Sequence, residues 1–214
     1  MKSIEPPRKQ PRQARAQATV EAILEAAARI LASEGYAAMS TNRVAERAGV
    51  SVGSLYQYFP NKDALVAALH QRHGRQIHEL LAAALDRTLG RSLREQITAV
   101  VHAALQGHLL EPELHRVLEN EFPFFDPPES ESEDYLGVHA RFEALLEAHR
   151  DEIAPRDPKL ARYMIVTMSQ ALVHAAVIDP PADFDTAEIE VAIVDMAMGY
   201  LCGATTPRAS PASA

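Results

Sequence analysis

The chain has 214 residues, 47% of them apolar, and a net charge of −8 from 21 basic and 29 acidic side chains. That is enough apolar material to bury a core in one large or two small domains. A single cysteine, Cys202, excludes an intrachain disulfide and a thiolate metal cluster, and is read as a small buried hydrophobe. No run of about 18 uncharged apolar residues occurs, and the first residues are polar and proline-rich where a secretory segment is apolar, so a cytoplasmic protein is expected.

The charge is unevenly spread. Residues 1–75 carry eleven Lys and Arg against six Asp and Glu, a balance of +5, which leaves −13 for residues 76–214. A basic head on an acidic body fits a polyanion contact confined to one end. Residues 1–16 hold Lys2, Arg8, Lys9, Arg12 and Arg15 against Glu5 alone, without apolar periodicity, and are expected to be a flexible basic arm.

From Val20 the apolar residues Val20, Ile23, Leu24, Ala27, Ile30 and Leu31 follow helical spacing, which Gly35 ends. A second, short helix starts near Ser40 or Thr41 and closes at Gly49. Ser51 caps a third with Leu55, Tyr56 and Phe59, and Pro60 keeps it short. Asn61 caps a long fourth helix through Leu85. Ser92 with Glu95 forms a capping box for a fifth, and Pro112 opens a short sixth through Leu114, Val117 and Leu118. Residues 122–134, FPFFDPPESESED, read as a loop. Helical spacing resumes over 135–149. Asp157–Pro158 opens an eighth helix, and Asp185 with Glu188 a ninth. The class is all-α, about nine helices, without strand pattern or repeat. The expected division is arm 1–16, a three-helix head 17–62, a helical ligand-binding and dimerisation domain 63–203, and a disordered tail 204–214.

A helix, a glycine-containing turn and a short helix outline a helix-turn-helix. A hairpin buried in a core hides its second helix. SVGSLYQYF instead presents small or hydroxyl groups at Ser51, Gly53 and Ser54 and polar tips at Tyr56, Gln57 and Tyr58, with Leu55 and Phe59 as anchors. Low bulk and short donors suit close approach to base edges and phosphates.

The wording MSTNRVAERAGVSVGSLYQYFPNKDAL over residues 39–65 resembles the DNA-binding head of the TetR family of regulators. The resemblance implies that the third helix is the recognition helix, with Val52, Gly53, Ser54 and Tyr56 at or near base edges. It also implies that Thr41, Tyr58 and Lys62 hold phosphates. Asn42 and Arg43 lie on the same side, within reach of a base or a phosphate. Since Val52 and Gly53 offer no side-chain hydrogen bond, preference is expected to lean on Asn42, Arg43, Gln57 and DNA shape.

Helices eight and nine are apolar around much of their circumference, more than one-sided packing covers. By resemblance these helices pair two chains, giving two recognition helices for a palindromic operator. The same resemblance places a small-molecule effector among helices four to seven. The candidate lining Leu105, Leu109, Leu118, Phe122, Phe124, Phe125, Phe142 and Met168 points to a lipophilic or aromatic compound, which would release a repressor from its operator. Activation and a histidine-based metal response are the alternatives.

His70 and His73 share an i, i+3 spacing, as His102 and His108 share a helix, but no Cys or Asp joins them nearby, so no metal site and no cofactor are expected. Without a glycine-rich phosphate loop, a nucleophile elbow or an HExxH run, no enzyme is expected. An adaptor role for the acidic run at 129–134 ranks behind a solvated loop.

Overall fold

The computed structural model describes residues 14–121, 133–155 and 157–203. Among them are nine α-helices and no strand: α1 (Ala14–Ala38), α2 (Thr41–Ala48), α3 (Val52–Tyr58), α4 (Lys62–Arg87), α5 (Leu93–Leu109), α6 (Pro112–Glu121), α7 (Glu133–Ala148), α8 (Pro158–Ile178) and α9 (Thr186–Cys202). The all-α expectation is met. The helix starts follow the capping chemistry read from the sequence. The Asn61 side chain accepts from Ala64 N–H at 2.9 Å, Asp157 from Lys159 and Leu160 N–H, and Asp185 with Glu188 closes a capping box.

Three helix bounds and the burial of one residue differ from expectation. Helix α1 begins at Ala14, inside the stretch assigned to the arm, because 14–20 continues the spacing of good helix formers without a breaker. Gly35, at φ 76, interrupts α1 without ending it. Helix α7 begins at Glu133, so 133–134 are helical. Cys202 is exposed, since as the last residue of α9 it follows the inward-facing Leu201. The remainder of the arm, the loop through Ser132 and the 204–214 tail lie outside the described residues.

The described helices gather into two compact units that do not divide at 62/63. Among the described residues, one holds 14–77 and 108–121, the other 78–107, 133–155 and 157–203. The first unit therefore takes the start of α4 and all of α6 along with the head. Its core joins Ile23, Ile30 and Leu31 of α1 to Val44, Leu55, Phe59 and Leu65, and α6 adds Leu114, Val117 and Leu118. At its edge the buried Arg72 guanidinium reaches Glu21 at 3.1 Å and Glu111 at 3.3 Å.

The second unit packs Leu93, Ile97, Val101 and Leu105 of α5 against Phe142 and Leu146 of α7, Ile165 and Val173 of α8, and Ile193 and Ala197 of α9. Two polar ties join α5 to α9: Arg94 to Asp195 at 2.8 Å and His102 to Glu190 at 3.0 Å. By length and composition α8 is apolar enough to cross a membrane; 22% of its most apolar stretch is buried, and much of the rest of the helix is half-buried.

Candidate nucleic-acid interface

The geometry of α2 and α3 starts from two serines and a glycine. Ser40, not Thr41, caps α2, accepting from Arg43 N–H at 3.3 Å. Gly49 then takes φ 68, a left-handed conformation costly for residues with a Cβ, and sends its N–H back to Glu46 O at 3.1 Å. Ser51 caps α3 by accepting from Ser54 N–H at 3.0 Å. Phe59 leaves the helix at φ −121, ψ 112, the extended backbone that the following proline requires. The result is a seven-residue helix held to the core by Leu55 within it and Phe59 just after, both essentially inaccessible.

Everything else on α3 is turned outward or half out. Val52 and Tyr56 are each 40% exposed, Gly53 and Gln57 are exposed, and Ser54 and Tyr58 are half-buried. Thr41 and Tyr56, assigned from sequence to different kinds of contact, come together: their hydroxyls lie 3.0 Å apart and tie the first turn of α2 to the outer face of α3. Asn42 is exposed beside them. Tyr58 packs partly against the core.

Gly53 is the informative residue. A methyl group there would meet only Ser51 Oγ, at 3.9 Å, and its φ is not left-handed, so neither space nor backbone requires glycine. Alanine would favour the helix by up to about 1 kcal/mol.

Two cations are held by the protein's own groups. Arg43 donates to Ala38 O at 2.7 Å and pairs with Glu34 at 2.7 Å. Both partners are well exposed, and such a pair contributes no more than about 1 kcal/mol, so a phosphate can displace the carboxylate. Lys62 lies 3.7 Å above the centre of the Tyr36 ring and donates to Tyr36 O at 3.4 Å. A lysine at a helix N-terminus opposes the macrodipole but reinforces the attraction of its free N–H groups for an anion.

Tyr36 itself was not singled out by sequence. Its hydroxyl donates to the Asp63 carboxylate. Burial first, then that bond and the carboxylate's charge, push the phenol well above its ordinary value. It therefore stays neutral and positions Lys62. The pairing spans 27 residues, and no periodicity marks it. The exposed Arg47, on the last turn of α2, also escaped notice.

Two family profiles match this chain. Residues 23–69 match the bacterial regulatory proteins of the tetR family, and residues 92–201, just over half of the chain, match the tetracyclin repressor-like C-terminal domain. The chain belongs to the TetR family. TetR-family proteins are DNA-binding transcriptional regulators, typically repressors, with a C-terminal ligand-binding domain. Among similar proteins, the HTH-type transcriptional regulator YvkB of Bacillus subtilis is 42% identical over 55 residues, 26% of this chain and 29% of that one. The HTH-type transcriptional repressor KstR of Mycolicibacterium smegmatis is 48% identical over 54 residues, 25% and 26% of the respective chains. The matched stretch thus spans little more than a quarter of either relative. The crystal structure of a TetR family regulator from Marinobacter aquaeolei shares the fold at a TM-score of 0.64 and 24% identity, covering 87% of this chain and 97% of the other.

The candidate effector residues do not gather in one core. Leu105 and Phe142 are buried in the second unit, Leu118 is buried in the first, Leu109 is 38% exposed and Met168 is half-buried on α8. Phe122, Phe124 and Phe125 lie outside the described residues. Leu105, Leu118 and Phe142 occupy inward positions of their helices, where the same apolar character that suits a ligand fills the core.

Proposed function

We propose that this TetR-family chain is a homodimeric repressor that sits on a palindromic operator in the cytoplasm and leaves it when a small, lipophilic or aromatic effector binds. The observation that carries the DNA reading is the outward face of α3, with a glycine at Gly53 that nothing inside the protein requires. In this reading Ser51, Val52, Gly53, Ser54 and Tyr56 lie against base edges in the major groove. Thr41, Tyr58 and Lys62 hold phosphates on either side, and Asn42, Arg43 and Gln57 bias the sequence.

Dimerisation through α8 and α9 is supported by what those helices leave exposed: Leu160, Tyr163 at 61%, Leu172 and Val191 at 59%. Four large apolar side chains in the open on two neighbouring helices call for a second apolar surface. The α8 residues Met168 and Ser169 support an effector with an apolar body and a polar group. The buried Ser169 Oγ has no hydrogen-bond partner among the described residues, and a ligand would satisfy it.

Selection of bound duplexes from a random pool tests the reading. A palindromic consensus with two equivalent half-sites is expected. Recovery of unrelated sequences at salt-dependent, sequence-independent affinity would overturn it.

A further inference from the structure

We propose that His73, His108 and His115 form a binding site for one divalent first-row transition-metal ion of the zinc class. Spacing along the helix brought His70 together with His73, and His102 with His108, and found no third ligand. The fold pairs them otherwise. His70 turns to Leu118 O at 3.4 Å and His102 to Glu190. His73 of α4 instead meets His108 from the last turn of α5 and His115 of α6, and all three are buried, His115 at 1% exposure.

His73 Nε2 lies 3.0 Å from His115 Nδ1, and their ring centres are 5.1 Å apart. The His108 ring stands at 90° to that of His115 with centres 4.6 Å apart, and its centre is 6.4 Å from that of His73. Nitrogens bound to one tetrahedral zinc at about 2.0–2.1 Å are about 3.3 Å from each other. The first pair is joined by a hydrogen bond, so an ion would replace that bond and spread the two nitrogens by about 0.3 Å. Donor nitrogens of His108 and His115 lie within 4.8 Å, so binding draws the His108 ring inward. A set of three imidazoles favours Zn²⁺, Co²⁺, Ni²⁺ or Cu²⁺ over Mg²⁺ or Ca²⁺, which take oxygen ligands. Three protein ligands leave a fourth position for water or an effector atom.

The ion would act on the head. His115 follows Leu114 on α6, and Leu114, Val117 and Leu118 belong to the core that anchors Leu55 and Phe59. An ion joining α4, the end of α5 and α6 stiffens the packing beneath the recognition helix. This coupling to operator binding rests on the function proposed above; the binding of the ion does not.

The test uses the full-length, tag-free chain stripped by a chelator and titrated with Co²⁺ by visible absorbance and with Zn²⁺ by calorimetry. One ion per chain and the intense absorption of low-coordinate cobalt are expected. His73→Ala, His108→Ala and His115→Ala should each weaken binding at least tenfold, while His102→Ala leaves it unchanged. Where an alanine variant melts early, His73→Gln and His115→Gln, which keep a neutral polar side chain, replace it. Absence of the cobalt bands, or Zn²⁺ affinity that survives loss of both His73 and His115, would overturn the site. Metal binding without any duplex binding would sink the proposed function and leave the site standing. Duplex binding without metal binding would do the reverse.

Discussion

Helices α3 and α8 both leave much of their surface open, and they do it with opposite chemistry. Helix α3 buries Leu55 and shows solvent one apolar side chain, Val52, among a glycine, a glutamine, a half-buried serine and two tyrosines with hydroxyl tips. Helix α8 buries Ala161, Ile165 and Val173 and shows Leu160, Tyr163 and Leu172. Short donors beside a missing side chain suit a hydrated, charged, closely approached surface such as a nucleic-acid groove. Large apolar groups suit another protein surface, since water gains nothing by meeting them. Exposure alone is therefore uninformative. What is exposed separates the surface proposed for DNA from the surface proposed for a second copy.

Several substitutions sharpen or break that contrast. The largest effect is expected for Leu55→Ala, which removes the anchor beneath the open face of α3. Thermal unfolding should show a loss of about 3 kcal/mol, and a smaller loss would mean that the face stands without its anchor. Val191→Glu places a charge on the apolar face of the helix pair proposed to dimerise. Sedimentation equilibrium should show association weakened at least 100-fold, about 2.7 kcal/mol, with the helical content of the monomer kept. Unchanged association would remove α9 from the interface. Asp185→Ala abolishes the capping box of α9 and should cost about 1 kcal/mol in denaturant unfolding.

The smallest expected effect is a pH slope in the second unit. Burial lowers the imidazole pKa of His78, His139 and His174 below the ordinary 6.5; Asp134 partly offsets this at His78, and Arg162 and His78 reinforce it at His139. Between the lowered folded values and 6.5 the unfolded chain binds more protons than the folded one. Stability therefore falls as pH drops through about 6.5 and levels off below the folded values. Replacing His174 by glutamine should flatten that slope in melts between about pH 7 and 5. A slope of the opposite sign would mean that the folded protein gains protons instead.

Most of the fold could be read in the sequence because its signals are local. Asn61, Ser92, Asp157 and Asp185 sit at helix starts, where a side-chain oxygen has orphan N–H groups to satisfy, and Gly49 sits where φ must be positive. The outward face of α3 was legible for the same reason. The tie from Tyr36 to Lys62 and Asp63 was not, nor was the pairing of Arg43 with Glu34, because partners brought together by tertiary packing leave no periodic trace. The meeting of His73 with His108 and His115 left no trace for the same reason: spacing along one helix is a poor guide to imidazoles that three helices bring together. Leu105, Leu118 and Phe142 show the converse limit, since an apolar side chain at an inward position looks the same whether it packs against a ligand or against the core.

Gly53→Ala tests the central claim most directly, with thermal stability and duplex affinity measured on the same preparation. Stability unchanged or raised by up to about 1 kcal/mol, together with at least a tenfold loss of affinity for the selected duplex, is the expected result. Full affinity in the alanine variant, or a loss of affinity that only follows a loss of stability, would contradict the assignment of α3 to the DNA groove.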